Sequence, residues 1–357
     1  MWAPRQNRPV RRLLVVMPSW LGDTVMATPT LRALRQLYPD AHIAALTSRS
    51  LRAVLRPCPW VDRILTTDRS GGKRVTPLRL ARRLAAGRFD MAVLLPNSFR
   101  SALLMAMAKI LRRVGYDRDG RGWLLTDRLK PRRAGGRFVP VPTIGYYLDL
   151  ARHLGAVDPD ASMTLATRPA DDERARRILT RAGVAGDGSR PFVLLNPGAS
   201  YGDAKMWYPD RFAAVADRCA EQFGAAVAVS GAPSERPVLD AVKAAARTAI
   251  VDLPEIGIDL TLLKSVVRQA NLMITNDTGP RHIAAAFGVP VVTIFGPTDP
   301  VWAEIDFEHE RQVRVDVFCS PCQKKRCPID HRCMTQVTAE MVFARAAELL
   351  GAGAIRP

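Results

Sequence analysis

Short apolar runs alternate with amphipathic stretches along most of this chain. The apolar runs predict buried β-strands at residues 13–17, 42–46, 91–95, 192–195, 225–230, 272–275 and 291–295. Amphipathic or capped stretches predict helices at residues 24–37, 76–87, 98–111, 144–154, 211–223, 260–269 and 280–288. Regular alternation of strand and helix is typical of a doubly wound, parallel α/β sheet, which is the fold class we predict. Pro29 lies inside the first helix and predicts a kink or an irregular turn there.

The same pattern divides the chain in two. A length of 357 residues exceeds what one hydrophobic core usually holds. The polar, proline-containing stretch at 158–172 interrupts the alternation, so we predict a linker near 160–172 and domains at 1–165 and 166–357. The segments 13–23 (LLVVMPSWLGD) and 192–203 (FVLLNPGASYGD) echo each other, since each runs from a strand through Pro to Gly-Asp. We therefore expect two similar domains with a ligand cleft between them.

Residues 271–300 form the most informative unit, a predicted β-α-β segment. Pro280 suits the first turn of its helix and Gly288 suits the C-terminal cap. The two strands must run parallel, and ligands bind beyond the carboxyl ends of parallel strands. The tetrapeptide at 276–279 (NDTG) therefore lies where free helix amides would meet an anion. The alternative is that Asp277 and Thr278 only cap the helix.

Composition indicates a globular protein. Apolar residues make up 48% and charged residues 24% of the chain. No run approaches the roughly 20 apolar residues that a membrane span needs. The basic N-terminus precedes only a short apolar strand, so it does not resemble a secretory signal. We expect a cytoplasmic protein whose six cysteines are mostly reduced.

Charge is distributed unevenly along the chain. Residues 1–140 contain 28 Lys and Arg against 8 Asp and Glu, whereas residues 141–357 contain 24 against 26. A GC-rich genome explains the excess of Arg over Lys but not this asymmetry. A basic N-terminal part indicates an acidic partner, such as nucleic acid, an anionic membrane surface or a phosphorylated glycolipid. Nucleic acid is disfavoured, because no recognition motif is present and only 6% of residues are aromatic.

Several blocks of the chain, in order, carry a resemblance to a known family. The blocks are PSWLGDTVMATPTLRALRQLYPD, LPNSFRSALL, LRRVGYDRDGRGWLLT, NPGASYGDAKMWYPDRFA, SGAPSE, TNDTGPRHIAAAFGVPVVTIFGPTDP and CSPCQKKRCPIDHRCM. Over residues 12–345 the chain resembles the bacterial ADP-heptose:lipopolysaccharide heptosyltransferases, specifically the heptosyltransferase II branch.

The resemblance implies a fold and an activity. The fold is GT-B, in which two Rossmann-like domains face a central cleft, with the acceptor on the N-terminal domain and the nucleotide sugar on the C-terminal one. The activity is inverting transfer of heptose from ADP-L-glycero-D-manno-heptose to a heptose of the lipopolysaccharide inner core. Another GT-B nucleotide-sugar enzyme remains the alternative: an epimerase, or a heptosyltransferase acting on protein or on a different glycan.

The resemblance also implies a donor site in the C-terminal domain. Lys205 would hold the leaving diphosphate, and Ser200 and Tyr201 would touch the same phosphates. Glu235 would accept hydrogen bonds from the ribose. The remaining donor residues are Asp277, expected to face the heptose hydroxyls, Thr278 and Gly279, expected to offer amides to phosphate, and His282. For His282 a core or capping role is the alternative.

In the N-terminal domain, Asp23 resembles the general base that takes the proton of the acceptor hydroxyl. The helix dipole would keep its carboxylate ionised; the alternative is that Asp23 caps the helix. The acceptor, a lipid A-core glycolipid, is acidic, and its domain is the basic one. Candidate acceptor-binding residues are Asn97, Ser98, Arg100, Arg112, Arg113 and Arg121.

A cysteine-rich segment stands near the C-terminus. Cys319, Cys322, Cys327 and Cys333, with His331 beside them, would by themselves suggest a zinc site. The spacing between the pairs is short for a zinc ribbon, so reduced or packed thiols are the other interpretation. We expect no metal or other cofactor in catalysis, because the resemblance assigns the leaving diphosphate to Lys205 and helix amides.

Overall fold

The computed structural model describes residues 9–67, 69–70, 73–184 and 190–351. The chain forms two compact units, one up to Met163 and the other from Thr164 onward. This division lies inside the stretch predicted as a linker. No helix among the described residues is long and apolar enough to cross a membrane.

The first unit is built on a six-stranded sheet in the order β3-β2-β1-β6-β7-β8, in which every neighbouring pair is parallel. Its strands are β1 (Arg12–Val16), β2 (His42–Thr47), β3 (Arg63–Thr66), β6 (Met91–Leu94), β7 (Arg112–Tyr116) and β8 (Asp127–Leu129), with two antiparallel pairs, β4 (Arg69–Ser70) with β5 (Lys73–Arg74) and β9 (Arg133–Ala134) with β10 (Arg137–Phe138). Its helices are α1 (Leu21–Met26), α2 (Thr28–Leu37), α3 (Arg52–Leu55), α4 (Pro77–Ala86), α5 (Phe99–Met107) and α6 (Thr143–His153).

The second unit repeats the plan, with the parallel order β13-β12-β11-β14-β15-β16. Its strands are β11 (Phe192–Asn196), β12 (Ala226–Val229), β13 (Ile250–Asp252), β14 (Leu272–Asn276), β15 (Val291–Ile294) and β16 (Glu310–Val313). Its helices are α7 (Pro169–Arg181), α8 (Pro209–Phe223), α9 (Arg236–Ala245), α10 (Leu260–Val267), α11 (Gly279–Ala286), α12 (Arg332–Thr335) and α13 (Ala339–Gly351).

Both sheets reverse their strand order at the middle. The reversal lies between β1 and β6 in the first unit and between β11 and β14 in the second. In open parallel sheets the loops that leave such a pair of strands diverge and open a crevice at the carboxyl edge. Central strands are covered on both faces, which explains the continuous apolar runs of β1 and β11. The predicted doubly wound α/β fold is confirmed.

The helix predicted at 24–37 is interrupted, as Pro29 indicates. The structure has two helices, α1 ending at Met26 and α2 beginning at Thr28, with Pro29 in the first turn of α2. Proline has no backbone N–H, and the first turn is the one place in a helix where that donor is not needed. The break at Ala27 therefore leaves α1 as a short helix that follows directly on the β1 loop.

One predicted helix is too long. The apolar stretch 98–111 predicts a single helix, but α5 ends at Met107, and Lys109 adopts a left-handed conformation with φ +56°. The chain then enters β7 at Arg112. The apolar character of Ile110 and Leu111 continues the helical pattern in the sequence, although these residues belong to the turn before the strand.

Candidate functional site

Asp23 lies at the point where the strand order of the first unit reverses, between β1 and β6, which we call the switch point of that unit. It is the third residue of α1, the helix that follows the β1 loop, and the N-cap position is occupied by Trp20. The capping interpretation therefore does not describe its position. Its carboxylate is half-buried and acts electrostatically on Tyr147 of α6. Burial first and the Asp23 charge second raise the pKa of the Tyr147 phenol well above its usual value, so the phenol stays neutral beside the carboxylate.

The β6 loop stands on the other side of this switch point and carries Asn97 and Ser98. Ser98 caps α5, its hydroxyl accepting a bond of 3.3 Å from the Ser101 N–H. The side-chain oxygen of Asn97 accepts a bond of 3.1 Å from the Tyr146 hydroxyl. The β1 and β6 loops therefore bring Asp23 and these two predicted acceptor residues to the same edge of one sheet.

Arg121 has an internal role. It is fully buried, and its guanidinium donates to the carbonyls of Tyr116, at 3.0 Å, and of Pro96. It also reaches the Asn97 side-chain oxygen at 3.5 Å, and burial lowers the pKa of Arg121 to about 10. A direct contact with the acceptor is not supported for Arg121, because every direction of the guanidinium is taken up inside the unit. It instead fixes the loop that carries Asn97.

Two of the other predicted arginines also bond groups within the first unit. Arg113 donates to the carbonyls of Leu124 and Ile110, each at 2.5 Å, and burial lowers its pKa. Arg112 is held by Asp127 at 2.8 Å. Both side chains tie β7 to its surroundings. Arg100 is exposed on α5 and remains the candidate with access to an acceptor.

The second unit places Lys205 against Asp277 at its own switch point. Lys205 ends a short 3₁₀ turn after β11, and its ammonium lies 2.6 Å from the Asp277 carboxylate and 3.0 Å from the Asp277 carbonyl oxygen. Thr298 donates to the same carboxylate oxygen at 2.8 Å. Burial alone would raise the pKa of Asp277, but Lys205 and Arg281 outweigh it, so the pKa lies below its usual value. Asp277 is thus an ionised anchor for Lys205. Its contact with heptose hydroxyls stays a prediction.

A buried ion pair supports this anchor from behind. Arg281 has no exposed surface and forms a two-pronged pair with Glu310, at 2.5 and 2.7 Å, while its Nη1 lies 3.7 Å from Asp277. Burial opposes ionisation of Glu310, yet Arg281 holds the pKa of that carboxyl below its usual value. Sequence reasoning missed both residues, because a polar edge strand such as β16 gives no pattern that marks Glu310 as buried.

Asparagines end both central strands and join the loops above them. Asn276 donates to the Pro197 carbonyl at 2.7 Å and accepts from the Trp207 N–H at 3.2 Å. Asn196 donates to the Thr278 hydroxyl at 3.2 Å. Asn276 is part of the predicted tetrapeptide 276–279, whereas Asn196 was missed, although the sequence contains a signal: the apolar runs of β11 and β14 each end in Asn.

The first turn of α11 keeps an anion-binding character. Thr278 is the N-cap, but its side chain makes no capping hydrogen bond and is directed to Asn196 instead. Thr278 therefore occupies the N-cap position, as the capping interpretation expects, but its side chain does not cap the first-turn amides. Helix α11 also confirms the predicted positions of Pro280 in its first turn and of Gly288, at φ +66°, just past its end.

His282 is buried within α11. Burial, followed by the charge of Arg281, lowers its pKa to about 3, so the imidazole is neutral at pH 7. Its Nδ1 is buried with no hydrogen-bond partner among the described residues. The His282 side chain lies on the buried face of α11, which agrees with the core interpretation more than with a ligand contact.

Glu235 lies over the loop that follows β11. Its carboxylate accepts a bond of 2.7 Å from the Ala232 N–H. A Cβ atom at Gly198 would lie only 2.2 Å from the Glu235 carboxyl carbon, so a side chain there would displace the carboxylate from this position. Glu235 is thereby fixed against the same loop that leads to Ser200, which is exposed, and to Lys205.

The cysteine-rich segment packs against the Lys205 loop. The Tyr201 hydroxyl donates to the Gln323 carbonyl at 2.8 Å, and the Ala204 N–H donates to the Lys325 carbonyl at 3.1 Å. His331 contacts the Ala204 carbonyl through Nε2 at 2.8 Å. The Lys205 ammonium stands 5.1 Å from the centre of the Tyr201 ring. Segment 319–333 therefore holds the loop that carries Lys205.

The four thiols of this segment line one small pocket. The pocket is formed by Cys319, Cys322, Cys327 and Cys333 together with His331 and Ala204. All four thiols are free, and burial with the neighbouring sulfurs raises the pKa of Cys333 to about 11. Within the described residues these side chains do not bring three ligand atoms within 4.8 Å of one another. Cys333 is buried and the other three cysteines are partly exposed, and the interpretation as reduced or packed thiols stays a prediction.

A cluster of three carboxylates does bring its ligand atoms within 4.8 Å of one another, but neighbouring Arg and Lys side chains already pair with these carboxylates. Asp240, Asp252 and Glu255 converge in the second unit. Arg236 lies 2.9 Å from Asp252 and 2.6 Å from Glu255, and Lys243 lies 3.2 Å from Asp252. These cations occupy the carboxylates as ion pairs.

Comparison with known proteins identifies the family. Residues 77–332, which include the Lys205 and Asp277 loops, match glycosyltransferase family 9 (heptosyltransferase). The chain belongs to this family. It is 29% identical over 300 residues to lipooligosaccharide heptosyltransferase 2 of Haemophilus influenzae, covering 81% of this chain and 84% of that protein. It is 25% identical over 347 residues to lipooligosaccharide heptosyltransferase 2 of Campylobacter jejuni, covering 95% and 98%.

A solved structure agrees with this assignment at the level of the fold. The structure of E. coli ADP-heptose LPS heptosyltransferase II matches with a TM-score of 0.78 and 24% identity, covering 96% of this chain and 99% of that one. The predicted resemblance to the heptosyltransferase II branch and the GT-B fold class are confirmed. This family 9 chain is a glycosyltransferase.

Gly202 offers a test of the contact between the Lys205 loop and the cysteine-rich segment of the family 9 enzyme. Its φ is +155°, and a Cβ atom there would lie 2.4 Å from the Lys325 carbonyl oxygen. Gly202→Ala should lower the free energy of unfolding by about 3 kcal/mol, since backbone strain and overpacking add. Gly224→Ala is the control, because Gly224 has φ +62° with nothing within 4 Å, and it should cost about 1 kcal/mol. Urea unfolding that gave equal losses would show that the two segments are not in tight contact.

His282 predicts a specific dependence of stability on pH. A histidine whose pKa falls from about 6.5 to about 3 on folding binds its proton only when unfolded, so stability is lost as pH falls through 6.5. Between pH 7.5 and pH 5 this costs about 2 kcal/mol. His282→Gln should therefore lose about 2 kcal/mol less than the parent over that range in urea unfolding. Parallel pH profiles for the two proteins would mean that His282 is not buried in the neutral form.

Proposed function

We propose that this glycosyltransferase is an inverting enzyme that transfers heptose from ADP-L-glycero-D-manno-heptose to a heptose of the lipopolysaccharide inner core. The observation that carries the proposal is the Lys205 ammonium held on Asp277 beside the uncapped first turn of α11. This arrangement presents a cation and helix amides to one anion, which suits a leaving diphosphate. The relatives named heptosyltransferase 2 support the identity of the sugar and of the acceptor.

Each donor residue then has a task. Lys205 and the amides at Thr278 and Gly279 stabilise the negative charge that grows on ADP as it departs. Asp277 keeps the ammonium in place while the site is empty. Glu235, fixed against Gly198, accepts hydrogen bonds from the ribose, and exposed Ser200 adds a hydroxyl near the phosphates. The Tyr201 hydroxyl is used by Gln323, so Tyr201 contributes its ring, beside Lys205, rather than a phosphate contact.

The first unit supplies the proton acceptor. The acceptor hydroxyl oxygen forms a bond to the anomeric carbon while the bond from that carbon to the ADP oxygen breaks, which inverts the configuration. Asp23 takes the hydroxyl proton, and the neighbouring Tyr147 is neutral and does not compete for it. No metal or other cofactor is needed, because the charge of the leaving group is met by Lys205 and the helix amides.

The acceptor is a lipid A-core glycolipid, met at the cytoplasmic face of the inner membrane. Asn97 and Ser98 stand at the same sheet edge as Asp23, and exposed Arg100 on α5 offers a charge to the core phosphates. The 28 Lys and Arg in residues 1–140 give the first unit a long-range attraction for such an acidic partner.

Mass spectrometry of a reaction with ADP-heptose and a monoheptosylated core acceptor tests the proposal. The acceptor should gain one heptose with release of ADP, at a rate that EDTA does not change. Transfer only to protein, epimerisation of the donor sugar without transfer, or a rate that collapses on chelation would each contradict it.

The Asp23→Asn variant tests the base. Asn preserves size and most hydrogen bonding but cannot accept the proton, so kcat should fall by about 10²- to 10⁴-fold with donor binding and thermal stability nearly unchanged. Asp40→Asn serves as a matched control, since Asp40 is an exposed carboxylate of the same unit. An Asp23→Asn enzyme with the kcat of the parent would remove Asp23 from the mechanism.

A further inference from the structure

Large apolar side chains form an exposed strip on helix α5 and the turn beside it. Phe99, Leu103 and Met107 are spaced by four residues, so they share one side of α5, and they are 39%, 37% and 41% exposed. Leu111 and Trp123 are 63% and 67% exposed, and the Trp123 ring lies 6.1 Å from the Phe99 ring. We call these five residues the α5 face.

The α5 face is not needed for packing within the unit. The opposite side of the helix already supplies the core, where Ala102 and Met105 are fully buried. A surface helix normally places polar residues on its outer side, and contiguous exposed apolar patches mark interaction sites. Phe99 and Trp123 come from different elements but lie side by side, so the patch is assembled by the fold.

Cations outnumber carboxylates in the segments around the α5 face, where Asp119, in the turn before Trp123, is an exposed carboxylate. Residues 91–116 contain no Asp or Glu, and Arg100 and Lys109 are exposed within them. Helix α4 packs next to α5, and residues 77–89 likewise contain no Asp or Glu. The exposed side chains of α4 and of the turn after it include Leu78, Arg79, Arg82 and Arg88.

We propose that the α5 face is a membrane-docking surface that inserts into the headgroup region of an anionic lipid bilayer. Aromatic and aliphatic side chains flanked by Arg and Lys are the composition that binds such interfaces, since the apolar groups enter the acyl boundary while the cations meet lipid phosphates. A protein partner of that charge would need an acidic, apolar groove, whereas an anionic bilayer offers both features over any area. This inference rests on the proposed function, in which the acceptor is a lipid.

Docking through the α5 face would place the N-terminal end of this helix near the lipid surface. Its N-cap is Ser98, preceded by Asn97, and both are predicted acceptor residues at the sheet edge that carries Asp23. A helix anchored in the lipid surface would keep this edge at the depth of the glycolipid core. The membrane thus contributes to acceptor binding without any contact between lipid and Asp23.

Vesicle co-sedimentation tests the surface directly. The parent protein should bind phosphatidylcholine vesicles containing phosphatidylglycerol, and the Leu111→Ser, Trp123→Ser double variant should bind at least tenfold less. Both side chains are mostly exposed, so the double variant should fold and unfold like the parent. The matched control is Val157→Ser with Phe318→Ser, whose side chains are 93% and 82% exposed outside the α5 face, and it should bind like the parent.

Activity on two acceptors separates this inference from the proposed function. On a water-soluble core oligosaccharide the double variant should keep the parent kcat/KM, whereas on glycolipid embedded in anionic vesicles it should lose at least tenfold. Vesicle binding that depends on the α5 face, in a protein that transfers no heptose, would contradict the proposed function and leave the surface standing.

Two results would overturn the surface itself. One is equal vesicle binding by the parent and the double variant. The other is a concentration-dependent dimer of the parent, detected by sedimentation, that the double variant loses while vesicle binding is unchanged, since the α5 face would then bind a second copy of this chain.

Discussion

The ion pair between Lys205 and Asp277 is the interaction on which the donor side of this enzyme depends. Asp277 is almost completely buried, and a buried carboxylate is tolerated only when cations and hydrogen bonds replace its water. Lys205, Arg281 and Thr298 provide that replacement. Arg281 in turn requires Glu310, because an unpaired buried guanidinium would be equally costly. A chain of matched charges thus runs from the strand β16 to the ammonium that we assign to the leaving diphosphate.

Topology explains why the functional residues occur where they do. In each unit the strand order reverses between the first and the fourth strand of the six-stranded sheet, and the two loops at that point diverge. The first unit uses these loops for Asp23 and for Asn97 with Ser98, and the second uses them for Lys205 and for Asp277 with Thr278. The echo between residues 13–23 and 192–203 reflects this shared position. In the second unit Asn196 and Asn276 end the two strands at this point and join the loops above them.

Sequence patterns predicted the parts of the fold that local chemistry determines. Helix α4 begins after Thr76 and ends before Gly87, as its Thr-Pro start and Gly stop indicate, and Pro29 marks the break between α1 and α2. The short edge strands β8 and β16 were not predicted, because they are polar and rest on pairing with one neighbour. Asp23, Lys205 and Asp277, which the resemblance names, lie at the switch points, but their partners depend on tertiary contacts. Nothing local to Arg121 shows that Pro96 and Tyr116 surround it, and nothing local to Tyr201 shows that Gln323 takes its hydroxyl.

The central claim is that Asp277 serves the donor by holding Lys205, and a double-mutant cycle measured by calorimetry with ADP tests it most directly. Lys205→Ala and Asp277→Ala should each weaken ADP binding by at least tenfold, in proteins shown to be folded. The double variant should bind no more weakly than Lys205→Ala, because Asp277 acts through the ammonium that this variant already lacks. Losses that add in the double variant, or unchanged affinity in Asp277→Ala, would contradict the account.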